Sequence, residues 1–284
     1  MGTGHQTHAR GSAWFLGKPR LPRLWRPVAR TALLGRRVMW RVGTVVALHD
    51  ETPTARTITL QVADWPRHVA GQHADVRLTA SDGYSAVRSY SIASAPNAEG
   101  RVELTVERLP DGEVSPYLTQ ELAVGDRVEL RGPIGGWFVW RSQQTEPIQL
   151  IAGGSGIVPL MAMIRSRASA GSTVPFRLLY SVREPGAVFY RDELQAISDG
   201  VDSVTITYAY TRAAPRDWPR PPGRIDTSFI AETTWSSKLI PTCYVCGPTS
   251  FVESTAALLV TCGNRPDKIR TERFGPTGGR NEFH

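Results

Sequence analysis

The stretch Ile148-Gln149-Leu150-Ile151-Ala152-Gly153-Gly154-Ser155-Gly156-Ile157-Val158-Pro159 decides the fold. Ile148–Ala152 reads as an essentially apolar run, the pattern of a strand buried on both faces. A glycine-rich turn follows at once. Pro159 stands where a helix begins, and Leu160, Met163, Ile164 and Ala168 recur beyond it at helical spacing. A strand that turns through glycines into a helix offers a pyrophosphate close approach to backbone N–H groups and the positive end of a helix dipole. The spacing departs from the usual Gly-x-Gly-x-x-Gly, because Pro159 falls near the place of the last glycine. Taken alone, the turn also suits an unoccupied tight connection.

Downstream, the same alternation continues. Phe176–Val182 and Val204–Tyr210 read as two more buried strands, and Cys243–Cys246 ends a fourth. Helical segments are expected near Arg191–Ile197 and Thr249–Thr261, with a proline-rich loop at Pro215–Pro222. This βαβ order predicts a parallel α/β sheet with helices on both faces. In such sheets ligands lie at the C-terminal strand ends. Cys246-Gly247-Pro248-Thr249 therefore faces the same cleft as the glycine turn. The competing fate of Cys246 is that of most free cysteines, a small buried hydrophobe.

Upstream the period changes to two. Val42–Leu48, Arg56–Val62, His73–Thr79, Val87–Ile92, Arg101–Glu107 and Arg127–Leu130 alternate or are rich in Val, Ile and Thr. Turn residues such as Asp82-Gly83, Asp111-Gly112 and Gly125-Asp126 separate them. Six short strands at this spacing predict a small antiparallel Greek-key β-barrel. One strand ends in Arg88-Ser89-Tyr90-Ser91, and Gly112-Glu113-Val114-Ser115 follows 24 residues later. Alternation puts Arg88 and Tyr90 on one face and Ser89 and Ser91 on the other, and twist at a strand end lets both faces reach one ligand.

Charge is unevenly placed. The 284 residues carry a net charge of +7, but the first 49 hold nine basic side chains and no acid. Setting those aside leaves 24 of the 33 basic side chains against 26 acidic ones, a body near −2. The basicity thus belongs to an arm over residues 1–37, followed by the barrel over 38–145 and the nucleotide domain over 146–284. Trp14, Phe15, Trp25 and Trp40 interleave with the charges, which suits peripheral membrane contact through residues 1–40, an acidic protein partner or a plain solvated extension. No nucleic-acid partner is expected. No run of 18 apolar residues exists, Gly35-Arg36-Arg37 has no hydrophobic region after it, and the cytoplasm is the expected location. The three cysteines, Cys243, Cys246 and Cys262, are too few for a four-cysteine iron–sulfur cluster, and no metal site is expected.

The ordered set Arg88–Ser91, Gly112–Ser115, Gly132–Phe138, Gly153–Pro159, Cys246–Thr249 and Glu272–Pro276 resembles the ferredoxin–NADP reductase superfamily over roughly residues 38–279. It is most similar to single-chain bacterial FAD-binding oxidoreductases, and its Glu272–Pro276 end also resembles the reductase part of flavohaemoglobins. No attached globin or ferredoxin domain is expected. The resemblance implies FAD and a nicotinamide nucleotide as cofactors. It implies that Arg88 pairs with the FAD pyrophosphate, Tyr90 packs along the flavin, and Ser91 lies near the flavin nitrogen that accepts hydride. Ser89 belongs to the same strand motif. Gly112, Glu113, Val114 and Ser115 would hold the pyrophosphate at the next helix N-terminus. Gly153, Gly154, Ser155 and Gly156 would cradle the dinucleotide. Cys246 would lie beside the nicotinamide, with Gly247 and Pro248 shaping its pocket. Glu272 and Phe274 match the acidic and aromatic pair that closes the family's catalytic core, with Phe274 covering a flavin face.

An NAD-selective site often carries a carboxylate at the end of the second strand. Here Ser181 and Arg183 stand there, and Arg212 follows the third strand. Two arginines favour the 2′-phosphate of NADPH, while Glu184 leaves NADH open. Three readings follow: an NAD(P)H oxidoreductase serving a separate electron-acceptor protein, a non-catalytic flavin-binding assembly subunit, or a membrane-associated, quinone-directed diaphorase.

Overall fold

The computed structural model describes residues 1, 39–200 and 204–274. Apart from Met1, the basic arm expected over residues 1–37 lies outside them, as do Gly275 and Pro276 of the last motif.

The first domain is a six-stranded antiparallel sheet curled into a barrel. Its strands are β1 (Trp40–Thr52), β2 (Ala55–Val62), β3 (His73–Thr79), β4 (Ser85–Ser91), β5 (Arg101–Glu107) and β6 (Arg127–Ile134), in the order β4-β3-β6-β1-β2-β5. β6 inserted between β1 and β3 is what makes the path a Greek key rather than a meander. β1 outruns the expected Val42–Leu48 because its ladder with β2 continues through two register shifts, after Val45 and after Asp50. Such bulges bend a strand without ending its pairing. Ile58, Leu60, Val76, Leu104, Leu118 and Leu130 fill the interior. The two edges, β4 and β5, meet through one isolated bridge, Ile92 to Leu104. The short helix α1 (Val114–Pro116) packs beside β4 at that seam.

The second domain is a parallel sheet of β7 (Ile148–Gly153), β8 (Phe176–Val182), β9 (Val204–Tyr210), β10 (Thr242–Pro248) and β11 (Ile269–Phe274), in the order β11-β10-β7-β8-β9. Neighbouring residues of β7 feed opposite cores. Leu150 packs with Leu160 and Met163 of α2 (Ile157–Ser169) and Leu194 of α3 (Arg191–Asp199). Ile151 packs with Ile230 of α4 (Thr227–Thr233) and with Val252 and Leu259 of α5 (Thr249–Thr261). The expected doubly covered sheet is therefore present.

Three details correct the sequence reading. A 3-10 turn over Gly154–Gly156 leads into α2 at Ile157, so the helix begins before Pro159. Pro159 is tolerated as the third helical residue because N–H groups of the first turn have no intrahelical acceptor. β11 was not expected as a strand. Its outer edge pairs with no strand among the described residues, and Arg270, Glu272 and Arg273 dilute its apolar pattern, as charges commonly do at sheet edges. α4 was likewise missed, although Asp226 caps it by accepting from the Phe229 N–H at 2.8 Å.

The domains are joined by a buried ring of hydrogen bonds. Tyr190 donates its hydroxyl to Thr105, which lies 2.7 Å from the Thr57 hydroxyl; Thr57 donates to Glu51 Oε1 at 2.6 Å. Glu51 Oε2 then accepts from the backbone N–H of Tyr190 at 2.8 Å, closing the ring across the boundary. Tyr190 holds a left-handed backbone, φ +54°, a conformation that costs a non-glycine residue about 1–3 kcal/mol unless its surroundings impose it.

Candidate active site at the domain seam

β4 delivers Ser91 to the seam, where its Oγ donates to Glu272 Oε1 at 3.5 Å, the long end of a hydrogen bond. Glu272 comes from β11 and is the ladder partner of Cys246 on β10. Three residues expected at the reaction centre thus converge from two domains. Burial pushes the Glu272 carboxyl up to about 7, against the opposing effect of the Ser91 hydroxyl. Cys246 is 1% exposed. Burial, and then the neighbouring Glu272, drive its thiol well above the ordinary range, so it is a neutral thiol rather than a thiolate. Phe274 pairs with Pro248 and packs on the core that contains Cys246.

The glycines of the turn divide their work. A Cβ on Gly156 would sit 2.1 Å from the Cys246 carbonyl oxygen, and one on Gly153 would meet the Phe251 ring at 2.6 Å. A Cβ on Gly247 would meet the same ring at 2.8 Å. Those three positions are glycine because β10 and Phe251 of α5 press against the turn and against each other. Gly154 differs: its φ is +54° and a Cβ there would meet nothing within 4 Å. It marks the open side of the turn, where a ligand can reach the backbone. Ser155 adjoins it. Ser181 is buried as the ladder partner of Gly153. Arg183 and Arg212 are exposed beyond β8 and β9, brought side by side by an Arg212 N–H donating to the Arg183 carbonyl at 2.9 Å.

On β4 the two-residue period is visible. Tyr90 shares the face of Ala86 and packs against the barrel core, and burial raises its hydroxyl. Arg88, on the same face, keeps 55% of its side chain exposed; its Nη2 lies 3.9 Å from the Glu113 carboxylate. The Tyr84 hydroxyl, absent from the sequence reading, donates to that carboxylate at 3.0 Å. Its position beside Asp82-Gly83 reads only as turn punctuation. Ser89 faces the other way and donates to Asp75 Oδ1 at 2.6 Å, beside an Arg131 ion pair.

Side chains expected to hold a cofactor are in part engaged elsewhere. Val114 belongs to the barrel core, and the buried Ser115 hydroxyl accepts from the Leu109 N–H at 3.0 Å. Gly112 is tight against that hydroxyl, 3.0 Å from where its Cβ would stand. What is left here for a ligand is the backbone N–H at the start of α1, which helix geometry leaves without intrahelical acceptors, and the exposed Arg88 beside Glu113. An extended, anionic dinucleotide fits those donors, and a second fits the open face of Gly154.

Fold and site together define a two-domain dinucleotide oxidoreductase, an antiparallel barrel followed by a parallel sheet with a glycine-rich strand–turn–helix. Residues 52–139 match the oxidoreductase FAD-binding domain and residues 150–257 the oxidoreductase NAD-binding domain. The chain belongs to the ferredoxin–NADP reductase-like family and is an NAD(P)H flavoprotein oxidoreductase that uses FAD. It is 27% identical over 83% of its length to the ferredoxin–NAD(P)(+) reductase component of a naphthalene 1,2-dioxygenase/salicylate 5-hydroxylase system from Ralstonia sp, covering 69% of that protein. It is 27% identical over 72% of its length to the reductase component of propane 2-monooxygenase from Rhodococcus jostii, of which it spans 55%. The FAD/NAD-binding domain of a Vibrio cholerae nitric oxide dioxygenase superposes with a TM-score of 0.74 at 24% identity, over 83% of this chain and 99% of that one. The chain thus spans from about half to two thirds of the curated relatives it matches. Among the described residues, no helix is long and apolar enough to cross a membrane.

Proposed function

We propose that the chain takes hydride from NADPH, with NADH as a poorer donor, and passes electrons to a separate acceptor protein. The observation that carries this reading is the Ser91–Glu272 contact beside Cys246, which joins the end of β4 to β11 next to β10. Bound FAD supplies the redox chemistry, accepting hydride and releasing electrons. The chain's own residues position and insulate. Arg88 and the α1 amides hold the pyrophosphate, Tyr90 supports the ring, and Gly154 admits the nicotinamide dinucleotide. Cys246, a neutral buried thiol, shapes the nicotinamide pocket without adding charge. Arg183 and Arg212 offer two forked donors to a 2′-phosphate. The acceptor reading draws support from the relatives, which are named as reductase components of oxygenase systems.

Anaerobic titration of the FAD-loaded protein tests this. NADPH should bleach the flavin faster than NADH, and acceptor protein captured under reducing conditions should reoxidise it. Arg88→Ala should release FAD on gel filtration, because the pyrophosphate loses a charge-assisted partner. Protein that NADPH leaves fully oxidised would rule the reading out.

A further inference from the structure

Arg165 lies on α2, eight residues beyond Ile157 and so about 12 Å along the helix from the glycine turn. Its guanidinium serves both domains. Nε and Nη2 fork onto the Glu193 carboxylate of α3 at 2.9 and 2.5 Å. Nη1 crosses the boundary to the Ala93 carbonyl at 3.0 Å and to Glu103 Oε2 at 2.9 Å. The guanidinium carbon also stands 5.0 Å from the centre of the Tyr190 ring. With 21% of the side chain exposed, these bonds are sheltered from the screening that weakens surface pairs. Lysine, a point charge with no planar fork, could not serve all four oxygens at once.

Ala93 is two residues past Ser91, and that spacing makes the contacts a closed circuit. Ser91 leads along the chain to the Ala93 carbonyl, which Arg165 holds. Arg165 leads up α2 to Gly156, which abuts the Cys246 carbonyl. Cys246 pairs with Glu272, and Glu272 returns to Ser91. Every link except the Arg165 bonds and the Ser91–Glu272 contact is covalent chain, helix, sheet ladder or tight packing. Together with the Glu51–Thr57–Thr105–Tyr190 ring, Arg165 therefore sets the separation across the seam, and it is the brace nearest Ser91 in the chain.

We propose that Arg165 is a positioning residue for hydride transfer, a strut that fixes the end of the flavin strand against the nucleotide turn. This rests on reading the Ser91–Glu272 seam as the place of transfer. The demand on the strut is severe, because a displacement of about 1 Å between reacting groups can cost about a hundredfold in rate.

The test compares FAD-loaded wild type with Arg165→Lys and with Glu103→Gln, which can still accept from Nη1. Arg165→Lys should lower the limiting rate of flavin reduction at saturating NADPH by about tenfold or more. FAD content and the Kd for NADP+ should stay within about twofold, the split expected when orientation rather than binding is lost. Glu103→Gln should fall between. In the FAD-free proteins, amide exchange at residues 91–93 should quicken in Arg165→Lys. Limiting rates within about twofold of wild type in both variants would overturn the proposal, as would a change confined to melting temperature and FAD retention. If wild type itself is not reduced by NADPH, the functional reading fails instead. Amide exchange then still decides the strut: unchanged exchange in Arg165→Lys removes it, faster exchange supports it.

Discussion

Burial keeps the proton on Glu272 up to a pH of about 7, whereas the unfolded chain would release it near its ordinary value of 4.5. The native state thus binds more protons than the unfolded state between those two values. Stability due to this group is fully present below about pH 4.5, falls across the window, and is flat above about 7. The total loss is roughly 3 kcal/mol at 1.36 kcal/mol per pH unit. Burial lowers His68 and His73, which makes their contribution rise with pH over the neighbouring range. Only a difference curve isolates the carboxyl. Urea midpoints of wild type and Glu272→Gln should therefore diverge progressively from pH 5 to about pH 7 and run parallel above it, with the variant gaining relative stability across that window. Parallel midpoints within the window would mean that Glu272 titrates as a solvated acid.

The strand–turn–helix element makes a sharper distinction than any one residue. Gly156→Ala would drive a methyl group into the Cys246 carbonyl, and backbone cannot swing aside as a flexible side chain can. We expect a loss of about 3 kcal/mol or more, read as a fall in melting temperature. Gly154→Ala meets open space and pays only for its left-handed backbone, about 1–2 kcal/mol. Equal losses in the two variants would contradict the division of labour described for the turn. That division was not legible in the sequence, because it depends on Phe251 and Cys246, which lie about 90 residues away along the chain. Other elements were legible for physical reasons. β7, β8 and β9 are buried on both faces, so their apolar runs are nearly unbroken, and the barrel strands keep a clean period of two. β11 escaped notice because an edge strand can carry charge. The motifs point to Ser91, Cys246, Glu272 and Phe274 together, with Ser91, Cys246 and Phe274 expected to converge; they do not show that Ser91 meets Glu272, or that Val114 and Ser115 turn their side chains inward. Inward and outward differ by one position in a short helix that no periodicity can fix.

At the scale of the whole molecule, the relative placement of the domains is written in residues that belong to no motif. Glu51, Thr57, Thr105 and Tyr190 close a ring between barrel and sheet, and Arg165 braces them from α2. Each is unremarkable in sequence, since a threonine on a strand or a tyrosine before a helix predicts nothing by itself. Only long-range pairing gives them meaning, which explains why the two domains could be read from the chain and their docking could not.

Below the Ile92–Leu104 bridge, the outer edge of β4 pairs with no other strand among the described residues. A bare strand edge is a template for any other strand that drifts past, including the same edge on a second molecule. On the proposed placement of FAD against Arg88–Ser91, the cofactor would cover part of that edge and so would also act as a stopper against self-association. FAD-depleted protein should scatter light sooner than loaded protein on mild heating, and added FAD should delay the onset. Identical onset with and without FAD would show that the edge is guarded by the chain alone.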